Sequence, residues 1–267
     1  MRVLFISALR RNKHLFWRMT LREVAGRYRG SLLGWSWTLL NPLLMLAVYT
    51  FVFSTVFKAR WPDLQQTGPA GFAINLFAGL IVFNLVAEVL SKAPTLILSQ
   101  PSYVTKVIFP LELLSSVTVA AATIHGCTSL AVLTTFRLIA TGSIPLTTLY
   151  LPLVWMPLLL GCLAACWLLS ALGVYLRDTN QLVSVMLSAL MFMSAIFYPL
   201  SALPIQWQPV LALNPIVPVI EQTREVLIAG HAPSAEFLLI GTILAAIGCE
   251  VSYRLFEKAR LGFSDVL

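Results

Sequence analysis

Charged residues are scarce in this chain of 267 residues. Asp, Glu, Lys and Arg together make up 11% of it, whereas about a quarter is usual in a soluble domain. Hydrophobic residues supply 58%, and the mean hydropathy is +0.85. So few polar groups cannot cover a surface that faces water on all sides. The composition therefore excludes a soluble enzyme and a disordered protein, and it excludes a nucleic-acid-binding domain despite the net charge of +7.

The usual catalytic and nucleotide-binding motifs are missing as well. The sequence has no GxxxxGK[ST] loop, so we expect this chain not to hydrolyse ATP by itself. It also lacks HExxH, GxSxG and a pair of intramembrane carboxylates. The four cysteines lie in apolar stretches without metal-ligand spacing, which indicates packing residues. The sequence therefore predicts no catalytic residue, metal or cofactor in this chain.

Long stretches without charged residues predict an all-α integral membrane protein. A helix needs about 20 apolar residues to cross the hydrocarbon core. We predict a transmembrane domain over residues 31–257, between a cytoplasmic amphipathic segment, 1–30, and a cytoplasmic tail, 258–267. Its six predicted spans cover residues 31–57, 70–91, 111–137, 147–176, 182–198 and 235–256.

The basic residues indicate the orientation of these spans. Six spans place both termini on the same side, and 14 Lys and Arg residues lie on that side against 4 on the other. Because Lys and Arg concentrate in cytoplasmic loops, both termini are predicted to be cytoplasmic.

The N-terminal segment is predicted to form a helix at the membrane surface. Within residues 13–29, two faces differ in chemistry: Trp17, Leu21, Val24 and Tyr28 lie on one, and Arg18, Arg22 and Arg29, with Arg11 just before, lie on another. An aromatic face beside an arginine face suits the cytoplasmic headgroup layer. The alternative is that the positive charge only orients the chain.

The loop between the second and third spans is predicted to contact another protein. Pro94 and Pro101 interrupt it, and a short amphipathic piece from Tyr103 to Phe109 ends at Pro110. Its apolar and basic side chains, expected to be exposed, are Val104, Lys106, Val107 and Phe109. Such a mixture favours docking over an ordinary polar loop, which is the alternative.

Residues 197–230 are too apolar for a solvated loop and contain too many prolines for a span. Backbone that is not helical at membrane depth must be buried in protein or line a cavity. We therefore predict re-entrant helices over roughly 202–212 and 216–228, entering from the outer side. A hairpin in the outer interface is the alternative.

Few ionisable groups lie within the spans. Glu88 precedes Lys92, and Glu250 precedes Arg254, by four residues, which predicts ordinary ion pairs at helix ends. His125 lies in the middle of an apolar span and is predicted to be a packed neutral imidazole rather than a proton relay. A proton- or ion-coupled carrier would normally need charged side chains at the midplane, and the sequence places none there. If the chain forms part of a carrier, its energy source is therefore expected to be another polypeptide.

Aromatic residues are numerous on two of the spans. They are Trp35, Trp37, Tyr49, Phe51 and Phe53 on the first, and Phe192, Phe197 and Tyr198 at the fifth. Two interpretations remain open: interfacial belts with ordinary packing, or a stacking surface for sugars in a pore.

Five of these segments together resemble the permeases of ABC-2 type transporters. The resemblance rests on RYRGSLLGWSWTLLNPLLML at 27–46, TKVIFPLELL at 105–114, YLRDTNQLV at 175–183, FYPLSALP at 197–204 and LNPIVPVIEQTREVL at 213–227. It covers essentially the whole chain, in the family's order and spacing. It is greatest to the branch that exports O-antigen, capsular polysaccharide and teichoic acid.

This resemblance implies a homodimer that forms a continuous pore in the bacterial inner membrane, with two separate nucleotide-binding subunits that carry ATP and Mg²⁺. The substrate would be a glycan linked to undecaprenyl diphosphate, and Arg27, Tyr28 and Arg29 would lie at its cytoplasmic entrance. The stretch from Tyr103 to Pro110 would be the coupling helix. Residues 200–230 would form a periplasmic gate that includes Pro204, Trp207, Asn214, Pro215, Glu221 and Arg224.

The expected function is thus the membrane subunit of an ATP-driven polysaccharide exporter. An ABC-2 exporter of a drug or a smaller lipid is the alternative within the class. A lipid-modifying membrane enzyme is the alternative from another class, but it requires a catalytic acid, base or nucleophile that the sequence does not offer.

Overall fold

The described part of the chain is helical throughout, as the sequence predicts. A computed structural model describes residues 10–27, 30–52, 68–105, 109–200 and 204–266, and these residues contain no β-strand. The helices are α1 (Lys13–Gly26), α2 (Trp37–Tyr49), α3 (Gly68–Lys92), α4 (Pro101–Thr105), α5 (Glu112–Thr141), α6 (Leu151–Tyr175), α7 (Thr179–Met193), α8 (Gln208–Ala212), α9 (Ile216–Arg224), α10 (Ala235–Arg260) and α11 (Phe263–Val266). Short 3₁₀ turns occupy Gly34–Ser36, Ala93–Thr95 and Leu146–Tyr150, and a π-helical turn occupies Glu225–Ala229.

Four helical segments in the described residues are long and apolar enough to cross a membrane. They are Gly71–Thr95, Glu112–Thr141, Leu146–Tyr175 and Ala235–Arg260, which correspond to the second, third, fourth and sixth predicted spans. The segments Trp37–Val52 and Thr179–Met193 are apolar but shorter. The first predicted span continues into residues 53–57, which lie outside the described residues, and the fifth was predicted to continue to residue 198 but its helix ends at Met193.

Glycine and charge mark several helix ends. Gly142 follows α5 with φ 73°, and Gly230 follows the π-helical turn with φ 79°, the left-handed conformation that closes a helix without a Cβ penalty. Helix α10 has Glu236 in its first turn and Lys258 and Arg260 in its last, which complements the helix dipole at both ends.

Helix α3 forms the centre of the fold. In its apolar stretch 83% of the residues are buried, against 11% in α10. Leu76, Val82 and Val89 are fully enclosed along its length. Helices α2, α5, α6, α7 and α9 all contact it, while α10 packs along the outside of α6. A helix that is apolar on every face has no polar face to expose to water, so it packs in the interior of the protein.

A glycine allows the turn after α3 to lie directly against α6. A Cβ on Gly173 would overlap the carbonyl group of Pro94, whose carbonyl carbon would lie 2.7 Å away and whose Cα 2.9 Å away. The Ala93–Thr95 turn packs on α6 at this point, and Ala93 is fully buried. Only glycine permits so close an approach of backbone to backbone. The segment that leads to α4 is therefore fixed to the end of α6.

Candidate functional site

Polar contacts join the described elements at two opposite ends of α3. Near its C-terminal end, Lys92 donates a hydrogen bond to Glu23 of α1 over 3.0 Å. Near its N-terminal end, the carbonyl oxygen of Asn75 accepts a hydrogen bond from Arg224 of α9 over 3.2 Å. The N-terminal helix and the proline-rich segment thus lie at opposite ends of the helical core. We call them the α1 end and the α9 end.

At the α1 end, a buried carboxylate gathers three basic side chains. Glu88 accepts hydrogen bonds from Arg27 at 2.8 Å, from His125 at 3.0 Å and from Lys92 at 3.4 Å. The side chain of Glu88 is only 13% exposed, while that of Arg27 is 40% exposed. Glu23 adds a second carboxylate on Lys92, so the charges are balanced. We call these residues the Glu88 cluster.

The Glu88 cluster extends what the sequence predicts. The pair of Glu88 with Lys92 is confirmed, and so is the pair of Glu250 with Arg254 at 2.8 Å. His125 is not merely packed, because its Nδ1 lies 3.0 Å from both carboxylate oxygens of Glu88 and 3.0 Å from the guanidinium of Arg27. Sequence reasoning missed this contact, since residues 27, 88 and 125 are far apart in the chain.

Helix α1 packs on α5 with a face other than the predicted apolar one. Its buried residues are Met19, Thr20 and Val24. Trp17 and Leu21, which share the predicted apolar face with Val24, remain 54% and 45% exposed. The helix therefore has one side on the protein and an aromatic side without a protein partner among the described residues. That second side suits the membrane surface predicted for it.

The predicted docking segment is held by stacking and by two arginines. The rings of Tyr103 and Phe109 stack at 4.5 Å between centroids. Arg22 of α1 donates to the Tyr103 hydroxyl over 3.2 Å, and this hydrogen bond raises the pKa of Arg22, so the guanidinium stays charged. Arg260 of α10 donates to the Phe109 carbonyl oxygen over 3.2 Å and pairs with Glu112 at 3.1 Å.

One expectation for this segment is wrong. Phe109 was expected to be exposed for docking, but it is buried, and Val104 is half-buried. The reason is that the segment is enclosed by α1, α5 and the end of α10, so its apolar side chains complete the core. Its exposed positions are Pro101 and Ser102. Lys106 and Val107 lie outside the described residues, and Pro110 is half-buried.

The C-terminal tail is a docked helix that supports the same segment. Phe263 of α11 is fully buried, 5.8 Å from the ring of Phe256 and 6.0 Å from that of Tyr175. The Tyr175 hydroxyl donates to the carbonyl oxygen of Ala259 over 2.7 Å. Helix α11 contacts α4. A tail of ten residues gave no sequence signal for this packing beyond its single phenylalanine.

At the α9 end, two buried arginines hold the proline-rich segment. Arg224 is 5% exposed and donates to the carbonyl oxygens of Asn75, Ala195 and Ile196 over 2.8 to 3.2 Å, and it pairs with Glu221 at 2.9 Å. Arg137, 8% exposed, donates to the carbonyl oxygens of residues 227 and 228. The sequence counts both among the four basic residues on the outer side but does not predict their partners. Backbone oxygens at helix ends replace water around them.

The helices predicted in this segment are present with different bounds. The prediction of 216–228 matches α9 and the π-helical turn, while the prediction of 202–212 shortens to α8, with residues 201–203 outside the described part. Asn214 donates to Ser194 over 3.0 Å and accepts from the amide of Ile216 over 3.0 Å, which fixes the corner at Pro215. Pro204 and Trp207 are exposed.

The aromatic residues of the first and fifth spans that the structure describes lie in two places, at α2 and at the end of α7. Phe192 and Phe197 stack at 5.9 Å, and the Tyr198 hydroxyl donates to the carbonyl oxygen of Phe192 over 2.8 Å. Trp37 and Tyr49 are half-buried on α2, which packs on α5 and α3, and Phe51 just after it is exposed. Tyr28, Arg29, Phe53 and the side chain of Trp35 lie outside the described residues.

The fold and its two polar ends define a multi-helix membrane protein. Comparison with known proteins makes the assignment specific. The chain matches the ABC-2 type transporter family over residues 14–228, and it belongs to this family.

Several relatives align over nearly the whole chain. The chain is 28% identical to the O-antigen export system permease protein RfbA of Myxococcus xanthus, over 91% of this chain and 92% of that protein. It is 21% identical to RfbA of Klebsiella pneumoniae, over 93% of each. It is 25% identical to the polysialic acid transport protein KpsM of Escherichia coli, over 90% of this chain and 93% of that protein.

Proposed function

We propose that this chain is the membrane subunit of an ATP-driven exporter of a lipid-linked polysaccharide such as O-antigen. The observation that carries the proposal is the family match together with relatives named for O-antigen export and polysialic acid transport, aligned over nine tenths of both chains. The fold supports it, because four of the described helices are long and apolar enough to cross a membrane.

In this proposal the chain crosses the bacterial inner membrane six times with both termini in the cytoplasm, so that the α1 end is cytoplasmic and the α9 end periplasmic. The shorter helices α2 and α7 supply the first and fifth crossings. Their exposed apolar side chains, among them Leu43, Val48, Leu182 and Val185, suit a second copy of the chain in a homodimer with a continuous pore.

Two nucleotide-binding subunits with ATP and Mg²⁺ dock on the α1 end. Their contact is α4 with its exposed Pro101 and Ser102, supported from behind by α1, α10 and α11. The hydrogen bonds from Arg22 to Tyr103 and from Arg260 to Phe109 support this role, because they connect α4 and the residue Phe109 after it to two other helices, α1 and α10. A displacement of α4 by the ATPase would then also move the helices that are hydrogen-bonded to it.

The substrate enters beside Arg27, whose partly exposed guanidinium is complementary to a diphosphate. Arg27, Tyr28 and Arg29 form the entrance. The aromatic residues of the first and fifth crossings, contributed by both copies, line the path of the glycan. The segment around α8 and α9 closes the periplasmic side.

The test is transport by the purified complex. The chain and its partner ATPase are reconstituted in proteoliposomes with undecaprenyl-diphosphate-linked glycan, and ATP-dependent exposure of the glycan on the far leaflet is measured. The chain alone should not hydrolyse ATP. The glycolipid should increase the rate of ATP hydrolysis by the complex. Stimulation by hydrophobic drugs in place of the glycolipid would identify a drug exporter instead, and hydrolysis by the lone chain would reject the passive role.

The docking surface has its own test. Ser102→Trp places a large ring on exposed α4, and we expect it to weaken binding of the ATPase about tenfold. Ser143→Trp is the matched control, because Ser143 is equally exposed in the loop after the far end of α5. Equal binding by both variants would rule out α4 as the contact.

A further inference from the structure

A deep apolar crevice of about 980 Å³ opens between α6, α10 and the segment around α9. Its size is that of a site for a small organic molecule. One face of α6, with Gly161 and Ala165, and one face of α10, with Gly241 and Ala245, border it along its length. These positions are four residues apart, so each pair of small residues lies on one side of its helix and leaves room between them.

The two glycines that line the crevice have open space next to their Cα atoms. A Cβ added to Gly161 would meet no other atom within 4 Å, and Gly161 is exposed. The atoms nearest to a Cβ on Gly241 would belong to Pro157 and Phe237, at ordinary contact distances of 3.6 to 3.8 Å. Along α10 the lining runs from Glu236 to Ala245, about 13 Å at 1.5 Å per residue. The shape is thus elongated along the direction of the spanning helices.

The mouth of the crevice faces the hydrocarbon. Ile240 and Leu244 line it and are also 51% and 64% exposed on α10, one of the helices long enough to span a membrane. Apolar side chains exposed on such a helix contact acyl chains. The molecules that reach this opening are therefore membrane lipids, and their chains match the apolar lining.

The rim of the crevice carries a negative charge. The carboxylates of Glu221 and Glu236 lie on this rim. Glu221 forms an ion pair with Arg224 at 2.9 Å, which neutralises its charge. Glu236 lies on the first turn of α10 and has no ion-pair or hydrogen-bond partner among the residues that the structure describes. An uncompensated carboxylate at the headgroup level attracts a cationic group and repels an anionic lipid.

We infer that this crevice binds a phospholipid with an amine headgroup, such as phosphatidylethanolamine. Its acyl chains lie between α6 and α10, and its ammonium group lies at Glu236. The site borders the segment around α8 and α9 that the proposed function assigns to the periplasmic gate, and it lies away from the ATPase contact. It does not depend on which substrate is transported. The bound lipid fills the space beneath α9 that the side chains leave open.

Photolabelling tests this site directly. The permease with its ATPase is placed in nanodiscs of phosphatidylglycerol that contain a little phosphatidylethanolamine with a photoreactive group on one acyl chain. Labelled peptides are then mapped by mass spectrometry. In the wild type we expect labelling of residues 157–165 and 236–245, and competition by unlabelled phosphatidylethanolamine.

Three variants decide the outcome. Gly161→Phe fills the crevice and should lower this labelling about tenfold, and Glu236→Gln should lower it about threefold. Gly248→Phe is the matched control, because Gly248 on α10 also has no atom within 4 Å of an added Cβ and does not line the crevice. If Gly161→Phe cannot be purified, Gly161→Leu carries the same expectation.

Unchanged labelling in the Gly161 variant would overturn the site. Equal labelling of the crevice by a photoreactive phosphatidylglycerol would overturn the assignment of an amine headgroup. Absence of labelling in the wild type would show that the crevice is closed to lipid, for example by a second copy of the chain, and would overturn the proposal as well.

Discussion

Replacing Gly173 by alanine should both destabilise the protein and weaken its response to the ATPase. The added Cβ would lie within 3 Å of backbone atoms of Pro94, which cannot rotate away as a side chain can. Forced overpacking costs about 1–3 kcal/mol, and alanine in a helix returns about 0.5–1 kcal/mol relative to glycine. The rigid neighbour places the cost near the upper limit, so a net loss of about 2 kcal/mol is expected.

The control for this variant is Gly248→Ala on α10. No atom lies within 4 Å of a Cβ at that position, so only the helix-propensity gain applies. It should be neutral or more stable by up to about 1 kcal/mol. The two variants should therefore differ by about 2–3 kcal/mol in the free energy of unfolding, measured by denaturation in mixed micelles.

The contact between Pro94 and Gly173 also determines the expected effect on ATP hydrolysis. Residues 93–95 connect α3 to the segment that contains α4, so a displaced turn moves the proposed ATPase contact. ATP hydrolysis by the complex should then respond less to substrate in Gly173→Ala than in Gly248→Ala. Equal stability and equal response of the two variants would refute the close approach of Pro94 to α6.

Three further substitutions address the two polar ends and the tail. Arg224→Lys cannot reach three carbonyl groups at once and should cost about 2–3 kcal/mol, seen as faster proteolysis of residues 204–230. Glu88→Gln removes the charge that holds Arg27 and should cost about 1 kcal/mol, seen as faster amide exchange in α1. Phe263→Ala removes a fully buried ring and should cost about 3 kcal/mol, seen as weaker binding of the ATPase.

Each of these substitutions has a control of the same chemistry. Arg177→Lys changes an exposed arginine, Glu225→Gln removes the charge of a carboxylate that is 46% exposed beside His231, and Leu261→Ala truncates a side chain that is 83% exposed close to Phe263. Surface changes of this kind usually stay within about 0.5 kcal/mol. Matching effects in test and control would show that the corresponding buried contact contributes nothing specific.

The helical architecture was predictable because hydrophobic length is a local property of the sequence. The spans that became α3, α5, α6 and α10 were located within a few residues by their lack of charge. The helix α1 was equally visible from its arginine and aromatic pattern. The end of α7 was not, since residues 194–198 are as apolar as the helix before them but turn away from it, with Ala195 at φ 52°.

The polar contacts could not be predicted, because they join residues far apart in the chain. Arg224 lies in a predicted gate helix, but nothing in the sequence indicates that this helix folds back onto Asn75, 149 positions earlier. Phe109 reads as an exposed docking residue until Tyr103 and Arg260 enclose it. A buried charge is expected to be paired, but its partner can be identified only from the tertiary structure.

The double attachment of α3 has a consequence for the surrounding bilayer. Asn75 is bound to α9 near one end and Glu88 to Arg27 near the other, about 20 Å apart along a straight helix. A helix that is fixed near both ends and largely buried in protein cannot tilt by itself to suit a thicker or thinner membrane, so the lipid must adapt to the protein. Transport in reconstituted vesicles should therefore depend on acyl-chain length, with an optimum set by the dimensions of this one helix.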